Sequence, residues 1–307
     1  MQQLILHHYP MSPFAEKVRL ILGFKGLAWR SVHIPNIMPK PDLTALTGGY
    51  RKTPVLQIGA DIYCDTALIA DVLEERVASP TLYPNGVASA SRILAQWADS
   101  TLFWTAVAFA MQPAGLAHMF EGTPPEAIKA FGDDRAVFRA NMPRVRPADA
   151  NAAFALYLER LEGTLDKQSF FFGTAPSIAD FSIYHCLWFV MRGGPVAKIL
   201  DSFPALQSWR ARVAAFGHGA HEKLESSAAI AIAHDATAEK SPVNLDSHGL
   251  AIGDKVVAAA TDTGTDPIEG TLYGATKTRF SIARQDQRAG RVVVHFPRLG
   301  FELRRAK

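Results

Sequence analysis

Tyr50-Arg51-Lys52-Thr53-Pro54-Val55-Leu56-Gln57-Ile58 places a proline at the mouth of an apolar strand, and Cys64-Asp65-Thr66 follows a few residues later. Proline has no N–H to give a ladder, so Pro54 belongs at a strand's first residue or on an edge. Thr53, before it, is driven into an extended conformation. A cis bond there would kink the chain and turn the backbone N–H and C=O of Thr53 outward, like a free strand edge that a peptide-like ligand could pair with. Asp65-Thr66 opens a helix, so two side-chain oxygens and the first free amides face one point.

Upstream, Leu4-Ile5-Leu6 reads as a strand and His7–Met11 as the loop leaving it. Ser12-Pro13 is a helix start, with serine as N-cap and proline at the first helical position. Phe14, Val18, Ile21 and Leu22 recur at helical spacing, with Glu16, Lys17 and Arg19 on other faces; Gly26 ends the helix. Trp29–Ile34 reads as a second strand, 35–41 as a proline-rich loop and Asp42–Leu46 as a short helix. Gly59-Ala60-Asp61 turns the chain into Ile62-Tyr63-Cys64, and Leu68, Ile69, Val72 and Leu73 give the next helix an apolar side.

The turn-rich segment from Ser79 to Gly86 marks a domain boundary. From Ala88 to about Ala220 the pattern is helical, with one stripe formed by Phe154, Leu158, Leu161 and Leu165. Ser177-Ile178-Ala179-Asp180 is a capping-box variant at the head of an apolar helix. The stretch 228–241 is Ala-rich and polar and reads as a linker. From Ser247 the period changes to two, and Lys255–Ala259, Ile268–Tyr273, Arg279–Ala283, Arg291–Phe296 and Phe301–Arg304 read as five short strands of a small barrel, SH3-like in architecture alone.

The order strand, Ser-Pro helix, strand, loop, Thr-Pro strand, hairpin, Asp-Thr helix resembles the thioredoxin-like half of cytosolic glutathione transferases. Phe170-Phe171-Phe172-Gly173 leading to Pro176-Ser177-Ile178-Ala179-Asp180, then Phe203-Pro204-Ala205-Leu206 and Trp209, resembles their all-α half. The resemblance covers roughly residues 1–220. It implies an α/β thioredoxin-like domain over 1–78 and an all-α domain over 88–220, with the β-rich appendage, over 245–307, outside the family pattern.

The same resemblance implies glutathione as co-substrate. The residue before the cis-proline, here Thr53, would hold the cysteinyl backbone, and Asp65 and Thr66 the γ-glutamyl end. The glycyl carboxylate needs a cation, for which Lys40, Arg51 and Lys52 qualify. A free thiol has a pKa of about 8.5 and reacts as thiolate. Lowering that by two units takes about 2.7 kcal/mol. Hydrogen bonds to the charged sulfur, worth ~1.5–3 kcal/mol each, cover it, and a helix dipole adds ~0.3–1 kcal/mol. A hydroxyl at a helix N-terminus therefore suffices, without a base. Ser12 has that position, and Tyr9, at the end of the first strand, is its rival. Ser12-Pro13-Phe14-Ala15 resembles the Cys-Pro-Phe-Ala of omega-like members with serine for cysteine. A serine cannot form a mixed disulfide, which disfavours glutathionyl-reductase chemistry.

The second substrate, a small hydrophobic electrophile, would lie between the domains, with Phe14, Phe103, Trp104 and Phe109 as candidate contacts. Asp99 either crosses a dimer interface, as the family likeness implies for a homodimer, or is a surface charge. A glutathione-binding scaffold using the β appendage as interaction module, or a lyase, isomerase or peroxidase on the same fold, remain the alternatives.

Composition bounds the rest. The 307 residues are 48% hydrophobic and 20% charged, a globular balance, and the net charge of +3 is too mild to argue for nucleic acid. No signal peptide and no apolar run of membrane-spanning length is visible. Cys64 and Cys186 lie far apart, with no disulfide framework or zinc pattern, which fits a reducing cytoplasm. Cys64 is expected buried and inert. His218-x-x-His221 could put two ligands on one helix face, but no thiol or carboxylate pattern completes a metal site.

Overall fold

The computed structural model describes residues 2–140, 145–239, 243–244 and 249–306. Four strands form the expected first unit: β1 (Ile5–His8), β2 (Trp29–His33), β3 (Val55–Ile58) and β4 (Asp61–Cys64). They are accompanied by α1 (Pro13–Phe24), α2 (Pro41–Thr47) and α3 (Thr66–Arg76). β1 pairs parallel with β2 and antiparallel with β3, and β3 makes a hairpin with β4 through Gly59, whose φ of 59° suits only glycine without strain. This is the thioredoxin-like arrangement.

Helices α4 (Ala88–Trp97), α5 (Phe103–Ala110), α6 (Pro113–Met119), α7 (Pro125–Phe138), α8 (Pro147–Leu165), α9 (Ile178–Met191) and α10 (Pro204–Ala214) build the second unit. α9 is its axis. Asp180 accepts from the Ser177 amide at 2.8 Å, the Phe171 amide at 3.1 Å and Trp209 Nε1 at 2.9 Å. One buried carboxylate thus starts the helix and ties both the phenylalanine-rich loop and α10 to it. Phe154, Leu158, Leu161 and Leu165 bury the stripe of α8 against this core. Between α4 and α5 the helix widens into a π-turn, Ala98–Leu102, which carries Asp99.

The C-terminal half departs from the sequence reading in two respects. The supposed linker contains β5 (His221–Lys223)'s successor helix, α11 (Ser226–Asp235). Ala229, Ile230 and Ala233, at helical spacing, bury it against α2, β2 and the strand Gly290–Pro297; Ser241 lies outside the described residues. Alanine is the best helix former, so a small-residue face here is a packing surface. The five later strands, β6 (Lys255–Ala260), β7 (Ile268–Ala275), β8 (Arg279–Asp286), β9 (Gly290–Pro297) and β10 (Phe301–Arg305), appear as expected, while the change of period placed at Ser247 lies outside the described residues.

Their pairing, however, does not stop at the appendage. It runs in one row, and β9 joins β4 in parallel, giving a ten-stranded sheet of order β10-β6-β7-β8-β9-β4-β3-β1-β2-β5. One hydrophobic cluster accordingly spans both parts, joining Ile5, Val32, Val55 and Ile62 to Val256, Ile282, Val294 and Phe296. At the seam His295 bonds Asp61 at 2.8 Å through Nε2 and Ser281 at 2.7 Å through Nδ1, and stacks on Tyr63 at 4.5 Å. Among the described residues no helix is long and apolar enough to cross a membrane.

Candidate functional site

The site assembles where the β1–α1 turn, the Thr53-Pro54 turn and the start of α3 converge. Ser12 caps α1: its Oγ accepts the Ala15 amide at 3.2 Å, and its own amide donates to the Tyr9 carbonyl at 3.1 Å. That leaves the Ser12 hydroxyl proton available, at the positive end of the helix dipole. Tyr9 and Ser12 therefore sit in one tight turn, and their side chains adjoin. Burial pushes the Tyr9 phenol up, against the opposing pull of Arg135 and Ser12.

The Thr53–Pro54 bond is cis. Lys40 Nζ ties this turn to the first one, donating to the Arg51 carbonyl at 3.2 Å and Thr53 Oγ1 at 3.4 Å, 5.8 Å from the centre of the Tyr9 ring. Burial brings the Lys40 ammonium down to about 8.

Asp65 is the one non-glycine residue with positive φ among the described residues, at φ 79°. Such a backbone costs of order 1–3 kcal/mol and is held only where the surroundings impose it. Its Oδ1 accepts the Ala67 amide at 2.8 Å, capping α3, and burial raises its carboxyl above the ordinary range. Thr66 is buried, and its Oγ1 accepts from Lys17 Nζ at 3.1 Å. A hydroxyl that accepts from an ammonium, which can only donate, keeps its own proton for another acceptor.

Lys17 opens a buried network that the sequence reading missed by setting it off the apolar face of α1. Its side chain is inaccessible, and its Nζ also bonds Asp99 Oδ2 at 2.6 Å; Asp99 Oδ1 meets His185 Nε2 at 2.9 Å. Burial opposes the Asp99 charge, but Lys17 and His185 hold its carboxyl down to about 2. Burial lowers the His185 imidazolium, so the neutral ring donates through Nε2, and its Nδ1 has no partner. Asp99 is thus not a free surface charge, since both its oxygens have partners within the chain. Phe14 lies 4.5 Å from the His185 ring and 4.6 Å from Phe103; Phe103 and Phe109 are core residues.

The three candidate cations separate. Arg51 Nη2 is 2.7 Å from Asp134 on α7, whose Oδ1 also accepts the Met38 amide at 3.1 Å. Lys52 Nζ pairs with Asp262 of the appendage at 2.5 Å. Lys40 has no carboxylate at ion-pair distance among the described residues. Beside Asp134, Arg135 donates through Nη2 to the Tyr9 oxygen at 3.4 Å and the Asn36 carbonyl at 2.8 Å. Nothing in the sequence of α7, which buries no residue, marks Asp134 or Arg135 as facing the site.

Cys64 is fully buried and burial raises its thiol well above the ordinary value. His218 lies outside any helix and bonds Glu16 at 3.1 Å, while His221 belongs to β5 and stacks on Trp29 at 4.6 Å. Among the described residues no group of three or more His, Cys, Asp or Glu side chains could hold a metal ion.

Comparison with known proteins agrees with this fold. Residues 6–81 match the family description "Glutathione S-transferase, N-terminal domain" and residues 125–212 match "Glutathione S-transferase, C-terminal domain". A GST-like protein from Pseudomonas syringae shares 47% identity over 100% of both chains, with a TM-score of 0.83. A glutathione S-transferase from Rhodospirillum rubrum F11 (20% identity, 69% of this chain and 88% of that one, TM-score 0.52) has the same fold. So has the beta-etherase LigF from Sphingobium sp. strain SYK-6 (20%, 69% and 95%, TM-score 0.52). No curated protein sequence matched. On the two matched domains and the full-length likeness, the chain belongs to the glutathione S-transferase family.

Proposed function

We propose that this protein ionises the thiol of glutathione and transfers the thiolate to a small hydrophobic electrophile. The observation that carries the reading is the Ser12 hydroxyl at the N-terminus of α1, with the cis Thr53–Pro54 turn tied to Tyr9 through Lys40 and the Asp65-Thr66 helix start tied to α1 through Lys17. In this reading the backbone of Thr53 pairs with the cysteinyl unit. Asp65 takes the α-amine, and the Thr66 hydroxyl and the α3 amides take the γ-glutamyl carboxylate. Lys40 takes the glycyl carboxylate, because Arg51 and Lys52 are already paired.

The thiol proton leaves to water, and Ser12 donates to the sulfur that remains. The sulfur attacks the electrophilic carbon and the leaving group departs with its electron pair. The edge of the second-substrate site falls to Phe14. A homodimer in the cytoplasm belongs to the same reading. Calorimetric titration with glutathione, followed by ultraviolet titration of the bound thiol, tests it. Uptake with a thiol pKa lowered by about two units supports it, and Ser12→Ala should remove most of that shift. No uptake overturns it, while an unchanged shift in Ser12→Ala transfers the donor role to Tyr9.

A further inference from the structure

The contact between Arg135 and Tyr9 joins two units of the fold at the point where the sulfur would lie. The guanidinium is held on all sides. Nη1 bonds Asp134 Oδ2 at 2.7 Å, Nη2 bonds the Asn36 carbonyl at 2.8 Å, and the group lies over the Phe131 ring at 4.7 Å and the Phe138 ring at 5.7 Å. Its remaining approach, through Nη2, is to the Tyr9 oxygen. An arginine side chain only donates, so the phenol oxygen must accept here, and the single phenol proton points elsewhere. Its neighbour in the turn is Ser12, whose oxygen already accepts the Ala15 amide.

Three other charges surround the turn: Lys40 beneath the Tyr9 ring, Asp134 beside Arg135, and Arg192, whose Nη1 holds the Met11 carbonyl at 3.2 Å. Asp134 is shared by Arg51 and Arg135, so the locality stays cationic. Hydroxyls in series, each accepting upstream and donating downstream, polarise one another.

We propose that Arg135 is a positioning residue for thiolate formation. By donating to the Tyr9 oxygen it fixes that hydroxyl as a donor and links Tyr9 and Ser12 into one polarised chain ending at the sulfur. Tyr9 and Ser12 are then successive members of a relay, not rivals. The inference rests on the glutathione reading above, which it extends by adding a residue from the helical unit.

The test is the ultraviolet titration of bound glutathione in wild type, Arg135→Met, Arg135→Lys, Tyr9→Phe and the double variant Tyr9→Phe/Arg135→Met. Calorimetry with S-methylglutathione, which has no ionisable thiol, runs beside it. Arg135→Met should raise the bound thiol pKa by about 1 unit, leaving the affinity for S-methylglutathione within about twofold. Arg135→Lys should recover part of the shift. The double variant should be no worse than Tyr9→Phe alone, since both substitutions break the same chain. A thiol pKa unchanged in Arg135→Met, additive effects, or S-methylglutathione binding lost together with the shift would each overturn the relay and leave the glutathione reading standing. Failure of wild type to take up either ligand overturns the glutathione reading itself, and the relay with it.

Discussion

Asp134 lies 2.7 Å from Arg51 and accepts the Met38 amide with the same oxygen, so a carboxylate from α7 already occupies the guanidinium that a ligand carboxylate would otherwise seek. Lys40 is the cation left over. We expect Lys40→Met to weaken glutathione binding by tenfold or more, about 1.4 kcal/mol, with little change in thermal stability. Because burial brings the free Lys40 ammonium down to about 8, wild-type affinity should decline as pH rises through that value. Calorimetry across the interval reads both effects, and an affinity flat above it removes Lys40 from the site.

Asp65 gives the opposite slope. Its carboxyl is raised by burial, so it reaches the neutral form at a higher pH than an ordinary aspartate. Only the ionised form attracts the α-amine of the ligand. Glutathione affinity should therefore fall on acidification earlier than the ligand's own carboxylates can account for. Asp65→Asn, which keeps a capping oxygen for the Ala67 amide, should abolish that acid limb. An unaltered acid limb in this variant would place the amine elsewhere.

The Lys17–Asp99 pair is a stability element. Asp99 is depressed from 3.8 to about 2. A depressed carboxylate contributes stability that is complete above its unfolded pKa and lost as pH falls towards the folded one. The protein should therefore weaken between about pH 4 and pH 2 by ~2 kcal/mol from this group alone. Asp99→Ala strands a buried ammonium and should cost about 3–5 kcal/mol, whereas Lys17→Met/Asp99→Leu should recover most of it. Denaturant melts decide; a double variant as unstable as the single one would mean that packing, not charge, holds this junction.

Asp180 offers a sharper case, because three N–H donors and the Ser177 hydroxyl converge on it. Asp180→Ala leaves two buried amides and an indole N–H unpaired, at about 1–3 kcal/mol each. The variant should lose several kcal/mol and unfold near ambient temperature. A loss below about 1 kcal/mol, the size of an ordinary N-cap, would show that water replaces the carboxylate.

What could be read from the chain was local. Ser12-Pro13, Thr53-Pro54 and Asp65-Thr66 announce themselves through sterics and capping that act within a few residues. Ser177 and Asp180 do the same. The partners that complete the site come from afar and carry no local mark. Lys17 fell outside the apolar stripe of α1, and α1 alone cannot reveal that Asp99 waits across the domain junction. Asp134 and Arg135 sit on a polar helix whose own pattern favours no face. The appendage strands were visible by their alternation, but parallel pairing of β9 with β4 is a long-range choice without a turn to signal it.

That pairing has a consequence for how the chain is made. Asp61 and His295 are 234 residues apart. During synthesis, β4 is exposed as an open edge until β9 has been translated, and closing so distant a contact is intrinsically slow. The nascent first unit must wait, unfinished and prone to recruit a stranger's strand, for its distant partner strand to arrive.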